Sequence, residues 1–410
     1  MKALGGDAGN VPSGSSAMPK VSRRPQPSRQ RGVRKPARGQ YIHPSKFVNK
    51  SVREKEQVVY EAQHVFADFP LNHRLQANID AKGYIAPSAI QDQSIPAILE
   101  GRDVIGLANT GTGKTAAFLI PSIQKLMDTP APLSVLIITP TRELATQIDD
   151  EFRAFAKDLR LYSSVCVGGM NIGRQIHSLK RRPHVVIGTP GRLKDLINQK
   201  ALNLQNVHTL VLDEADRMCD MGFLPDIKSI ISYVPAERQN LFFSATMTIT
   251  IAALITEMMR DPITVSVVRG ETSDHVYQDV VEARDKNHKV DLLTDMLSNE
   301  EFDKVLVFGE TKFGVQRLAD TLSKSGYPAE AIHGNKSQPQ RQRALDKFKT
   351  NNVKVLVATD VAARGLDIPN VSHVINFDQP HTYDDYVHRI GRTGRGGATG
   401  IAYTFVDQMR

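Results

Sequence analysis

Residues 108–115 read ANTGTGKT and residues 213–216 read DEAD, and both segments carry the side chains that phosphate chemistry needs. The first follows an apolar run ending at Leu107 and precedes AAFLI, so strand, loop and helix stand in the order of a phosphate-binding loop. Gly111 and Gly113 admit backbone angles closed to other residues. The N–H groups from Thr110 through Thr112 to Gly113 can therefore converge on phosphate oxygens at a helix N-terminus. Lys114 then places a point charge on the β- and γ-phosphates of a nucleoside triphosphate, and the Thr115 hydroxyl ligates Mg²⁺. In the second segment the apolar run HTLVL at 208–212 leads directly into Asp213, Glu214 and Asp216. A carboxylate cluster at the C-terminal end of a strand lies where open α/β sheets bind ligands. Asp213 is placed to reach the metal, directly or through water, and Glu214 to polarise the attacking water. In isolation the lesser alternative for the cluster is a solvated acidic turn, and the phosphate loop beside it weighs further against that.

Both segments need elements to hold them. From about residue 51, short β-branched runs alternate with helical stretches, the pattern of parallel sheets covered by helices. Strands are predicted at 103–107, 135–139, 184–188, 208–212, 240–244 and 263–268, and again at 304–308, 329–333, 354–358, 372–377 and 400–405. The polar stretch RGETSDH divides the two sets. The organisation expected is a tail at 1–50, a first α/β lobe at 51–268, a linker at 269–275 and a second α/β lobe at 276–410. The second lobe's first predicted strand runs into GETKFG, without phosphate-loop glycines, so one nucleotide pocket is expected.

Of the 410 residues, 40% are hydrophobic and 23% charged, as in ordinary globular chains, and no apolar run exceeds five residues. That is too short for a membrane span, and no membrane partner is expected. Cys166 and Cys219 have neither metal nor redox spacing and cannot frame a disulfide scaffold, which points to a reducing, cytoplasmic setting. The net charge of +8 is concentrated at one end: residues 1–50 hold eleven Lys/Arg and one acid, leaving 41 bases against 43 acids elsewhere. With Pro, Gly, Ser and Arg dominating, this tail is predicted to be a disordered cationic arm that attracts phosphate backbones without sequence preference. Its alternatives are a solubilising tail and an organelle transit peptide, although the interspersed prolines and glycines break an amphipathic helix.

Over residues 66–406 the chain resembles the DEAD-box ATP-dependent RNA helicases, and within them the bacterial RhlE-like branch. Besides ANTGTGKT and DEAD, it carries in family order GYIAPSAIQ (83–91), PTREL (140–144), GG (168–169), TPGR (189–192) and SAT (244–246). VLVFGET (305–311), HGNKSQPQR (333–341), ATDVAARGLDIP (358–369) and HRIGRTGR (388–395) follow. The resemblance implies two tandem RecA-like lobes, ATP and Mg²⁺ as cofactors, RNA as partner and a monomeric chain. It also implies ATP hydrolysis on RNA-induced lobe closure, with local, non-processive unwinding.

Residue by residue, the resemblance implies adenine selection by Gln91, whose amide both donates and accepts, and base stacking on Phe66, seventeen positions before the GY pair. Without it, Phe66 reads as core. Arg392 and Arg395 resemble arginine fingers, able to meet a γ-phosphate held by Lys114 only when the lobes close. Asp367 resembles the ribose contact, with Gly365 allowing close approach. Asp216, Ser244, Thr246 and His388 resemble the link between nucleotide site and strand separation, His388 reading otherwise as an interface histidine. The RNA track implied comprises Pro140, Thr141, Arg142, Gly168, Gly169, Thr189, Gly191 and Arg192 in the first lobe. Thr311, Gly334, Gln338, Arg341, Thr359 and Asp360 continue it in the second. Turns that open helices expose unpaired N–H groups that donate to backbone phosphates, hence indifference to base sequence.

Two rivals share these motifs: an ATP-gated RNA clamp or annealer, and a DNA translocase, since the preference for RNA comes from the family alone. The chain stops at Arg410, where relatives continue into a further helix, so a fragment or a less completely packed second lobe is a further expectation.

Overall fold

The computed structural model describes residues 42–50, 60–109, 111–267, 276–363, 368, 370–394 and 399–408. In the first lobe, β1 (Val104–Leu107), β2 (Val135–Ile138), β3 (Ser163–Cys166), β4 (Val185–Gly188), β5 (Thr209–Leu212), β6 (Gln239–Ser244) and β7 (Ile263–Ser266) form one sheet in the order β3-β4-β2-β5-β6-β1-β7. A second sheet follows, with β8 (Val276–Ala283), β9 (Val305–Phe308), β10 (Ala329–Ile332), β11 (Val355–Ala358), β12 (His373–Asn376) and β13 (Gly400–Asp407) in the order β10-β11-β9-β12-β13-β8. Every strand pair within both sheets is parallel. The chain therefore folds as two parallel-sheet α/β lobes of RecA-like form, the class expected from its sequence.

Parallel pairing requires crossover helices, which cover both faces and bury the central strands completely. All residues of β2, β4, β5 and β6 are buried accordingly. Strand alternation sends Phe243 to one face with Phe118, Ile148 and Phe152, and its neighbour Phe242 to the other with Leu193, Met218 and Ile227. In the second lobe Leu356 joins Phe348, Tyr386 and Ile390, while Val357 joins Leu293, Leu318 and Leu322.

Because all strands of a sheet run the same way, their C-terminal ends share one edge, and the motifs collect there. The phosphate loop leaves β1, PTREL follows β2, the glycine pair β3, TPGR β4, the acidic cluster β5, and SAT spans the end of β6. Hydroxyl caps turn one of these exits, and two in the second lobe, into helices. Thr141 Oγ1 accepts from Leu144 N at 3.3 Å, Thr311 Oγ1 from Gly314 N at 3.0 Å, and Thr382 Oγ1 from Asp385 N at 3.0 Å.

Two strands escape the sequence pattern, and both lie at sheet edges. β3 reads SSVC and β8 reads VYQDVVEA, with a half-exposed side to each. An edge strand has no need of the continuous apolar run by which the central strands announce themselves.

One expectation is corrected. Residues 42–50, assigned to an unstructured tail, are ordered: Pro44–Phe47 forms a 3₁₀ turn and Phe47 is fully buried in the second lobe. A single large aromatic side chain with a pocket to fill outweighs the polar composition around it. Residues 1–41 of that tail and the linker 269–275 lie outside the described residues.

Candidate functional site

Lys114 opens the helix Lys114–Asp128; it is 7% exposed, and its Nζ donates to Ala108 O at 2.7 Å. Gly113 immediately before it has φ +95, and a Cβ there would collide with Gln91 Nε2, so only glycine fits. Gln91 is pinned against the loop. Its Oε1 accepts from Ser88 N at 2.9 Å and its Nε2 donates to Gly113 O at 3.1 Å, while Ser88 Oγ donates to Thr112 O at 2.7 Å. Each end of the amide thus makes one bond to the protein and keeps capacity for a second. Phe66 is only 2% exposed, edge-on to Phe69 at 5.9 Å and Tyr84 at 5.7 Å, so here it serves the core.

Opposite the loop, Asp213 is 2% exposed and its Oδ1 accepts from Glu214 N at 3.0 Å. Burial pushes its pKa up to about 7; the charge of Lys114 opposes the rise and that of Glu214 adds to it. Glu214 holds a left-handed backbone, φ 52, unusual for a non-glycine residue. Its carboxylate receives Arg217 Nη1 at 2.8 Å, both side chains being about 5% exposed. Gly111, Gly113, Lys114, Thr115, Asp213 and Glu214 line one cavity of about 350 Å³, which also touches Tyr84, the helix Arg142–Phe155 and Lys349 of the second lobe. A buried carboxylate and a neighbouring threonine are hard oxygen donors of the kind Mg²⁺ takes alongside substrate phosphates. Among the described residues no three His, Cys, Asp or Glu side chains gather to hold a metal without such help.

A polar chain leads away from this pocket. Ala108 N donates to Ser244 O at 3.0 Å, Ser244 Oγ donates to Thr246 O at 2.8 Å, and Asp216 Oδ2 accepts from Ala245 N and Thr246 N, both at 3.0 Å. Three of the four expected coupling residues, Asp216, Ser244 and Thr246, are therefore brought together. The fourth, His388, lies in the second lobe, lining a narrow pocket with Phe308, Asp360, Asp385, Arg389 and Arg392. Arg392 is 4% exposed and its Nε donates to His388 O at 3.3 Å. The second-lobe residue lining the phosphate-loop cavity is Lys349. Thr110, Gly365, Asp367 and Arg395 lie outside the described residues.

On the first lobe the expected RNA track converges. β3, β4 and β2 are neighbours, so Gly168 and Gly169, Thr189 to Arg192, and Pro140 to Arg142 emerge side by side. The Arg142 guanidinium lies against both glycines; Gly169 has φ +74, and a Cβ there would displace the guanidinium. Arg192 Nη1 donates to Met170 O at 3.2 Å, and Gly191 faces open space at the start of the helix Pro190–Asn198. In the second lobe Thr311 caps the helix Lys312–Lys324, Gly334 packs on Lys312, and Thr359 opens the helix Asp360–Ala363.

Three expected RNA contacts are otherwise engaged. Gln338 Nε2 donates to Glu143 Oε1 at 3.0 Å and Arg341 Nε stands 3.0 Å from the same oxygen, so both turn to the first lobe. Asp360 takes a two-pronged grip from Arg389, Nε to Oδ1 at 2.6 Å and Nη2 to Oδ2 at 2.7 Å. The buried Glu143 carboxylate is thus met by a neutral amide and a guanidinium, and the buried Arg389 guanidinium by the Asp360 carboxylate.

Residues 88–254 match the DEAD/DEAH box helicase family and residues 288–397 the helicase conserved C-terminal domain. The chain is 48% identical over 342 residues to the DEAD-box ATP-dependent RNA helicase CshA of Bacillus licheniformis, covering 83% of this chain and 70% of that one. It belongs to the DEAD-box ATP-dependent RNA helicases. CshA of Bacillus subtilis is 47% identical over 83% of this helicase and 69% of its own length. Among solved structures, S. cerevisiae Dbp5 bound to RNA and ADP BeF3 superposes with TM-score 0.75 at 30% identity, covering 84% of this helicase and 90% of that chain. Mss116p bound to ssRNA and AMP-PNP gives TM-score 0.73 at 30% identity, over 82% and 73%. The two Bacillus relatives carry the CshA name, and the RhlE-like branch rests on sequence motifs alone.

Four site residues of this DEAD-box helicase were not singled out in sequence: Glu143, Arg217, Lys349 and Arg389. Glu143 sits inside PTREL and Arg389 inside HRIGR, so motif membership was the available signal. For Arg217, in the short helix Ala215–Asp220 that Glu214 caps, the three-residue spacing from Glu214 was the signal. Lys349 had none, since a charged residue ending an amphipathic helix reads as solvated.

Proposed function

We propose that this chain hydrolyses ATP when RNA draws its two lobes together, and that closure locally separates short duplexes without processive travel. One observation carries this reading: the phosphate loop, the acidic cluster and three RNA-track segments share one sheet edge, joined through Ser244, Thr246 and Asp216. Relatives named as ATP-dependent RNA helicases support it, as do relatives solved with RNA and nucleotide. Lys114 would bind the triphosphate, Glu214 would orient the attacking water with Arg217 holding its carboxylate, and Arg392 with Arg395 would meet charge developing on the transferred phosphoryl group. Thr115 and Asp213 would hold Mg²⁺, which supplies neutralisation of phosphate charge. Glu143, clasped by Gln338 and Arg341, would bias the lobes toward the paired state in which hydrolysis proceeds. The first lobe extends to residue 268, the second begins at 276, and the protein acts as a cytoplasmic monomer of the RhlE-like branch.

Strand displacement decides between this and an ATP-gated clamp or annealer. A short RNA duplex is expected to separate in an ATP-dependent manner, with little displacement of long duplexes. Acceleration of annealing with no displacement at any duplex length would favour the clamp. Stimulation of ATP turnover by DNA as strong as by RNA would favour a translocase.

A further inference from the structure

Residues 42–50 precede the first lobe in sequence but pack on the second. Phe47 is 0% exposed, its ring 4.7 Å from that of Tyr386 in the helix Tyr383–Ile390. Tyr386 is equally buried, and its hydroxyl donates to Gln278 Oε1 at 2.9 Å and lies 3.4 Å from Phe47 O. Asn49 bridges antiparallel to Gln278, N to O at 2.9 Å one way and 3.0 Å the other, and Lys50 meets Asp279 at 2.9 Å. Gln278 belongs to β8, the edge strand of the second sheet, so the segment covers backbone groups that an exposed edge would leave open to another chain. The pairing is polar outside and aromatic inside, and it joins residues 339 positions apart.

The helix gripped by Phe47 is the one that matters for chemistry. It carries His388 and Arg389, and Arg392 stands two positions past its end, tied back to His388 O. Arg389 fastens the same helix to Asp360 and to Asp378 O at 2.7 Å. Phe47 packs on the same helix one turn earlier, through Tyr386. A cation that must meet charge forming on a phosphoryl group tolerates little displacement, and an error of about 1 Å can cost 10²-fold in rate.

We infer that residues 43–50 are a positioning element of the second lobe, with Phe47 as its anchor, fixing the helix that presents Arg392. The catalytic part of this inference rests on the role proposed for Arg392; the docking of the segment does not. Phe47→Ala leaves a void under Tyr386 and frees the helix, whereas Phe47→Leu fills most of it.

The test compares the full chain with Phe47→Ala, Phe47→Leu and Asn49→Pro, the last removing one backbone donor without opening the core. Two readouts are taken: amide hydrogen exchange, and RNA-stimulated ATP turnover split into kcat and KM. Phe47→Ala is expected to speed exchange in 276–283 and 383–390 by about tenfold or more, with exchange in β1 unchanged. It is expected to lower kcat about tenfold while KM for ATP stays within about twofold, because the phosphate loop lies in the other lobe. Phe47→Leu should restore most of both, and Asn49→Pro should shift exchange in the same two segments. Unchanged exchange at 383–390 in both Phe47→Ala and Asn49→Pro would overturn the docking. Faster exchange there with kcat intact would overturn the positioning. An unmodified chain lacking RNA-stimulated turnover would overturn the role of Arg392 and the positioning with it, while exchange would still decide the docking.

Discussion

Lys114→Ala is expected to lower ATP turnover by about 10²-fold or more and to abolish RNA binding that depends on nucleotide. The ammonium group rests on the Ala108 carbonyl inside the loop. It is also the nearest cation opposing the burial of Asp213. Removing it deprives the triphosphate of a fixed positive charge in a water-poor pocket, where such charges act most strongly. It leaves the fold intact, since alanine suits the first turn of the helix Lys114–Asp128. Steady-state turnover and fluorescent RNA binding with a non-hydrolysable ATP analogue measure both effects. RNA binding that responds to the analogue as in the unmodified chain would contradict the assignment.

Glu214→Gln separates binding from chemistry. The amide keeps the shape of the side chain and an oxygen for Arg217, so nucleotide and RNA should bind as before. What it loses is the charge that polarises water, and turnover is expected to fall by about 10² to 10⁴-fold. The left-handed backbone at Glu214 supports a dedicated role, because a non-glycine residue there is strained and the surrounding strand and helix must hold it. A single-turnover experiment with prebound RNA measures the loss. Hydrolysis at the unmodified rate would remove Glu214 from the mechanism.

Much of this site was legible before the fold was known, for a geometric reason. Parallel strands deliver their C-terminal ends to one edge, so motifs directly after apolar runs such as VLIIT and HTLVL had to meet. Contacts set by distant partners were not legible. Gln338 and Arg341 look like surface residues on a polar helix, and only the approach of Glu143, 195 positions before Gln338, turns them inward. Asp360 likewise gives no sign of Arg389. The edge strands β3 and β8 lack the apolar run that betrays a central strand. Phe47 sits in a polar, basic stretch without periodicity, and one buried ring leaves no pattern to detect.

At the centre of this account is a catalytic site completed by the second lobe only when RNA is present. ATP turnover by the purified chain and by Arg392→Ala, each with and without RNA, tests it most directly. RNA should accelerate the unmodified chain, and Arg392→Ala should lose about 10³-fold or more of the RNA-dependent rate while still binding ATP through the first lobe. Turnover unaffected by RNA, with Arg392→Ala as active as the unmodified chain, would contradict it.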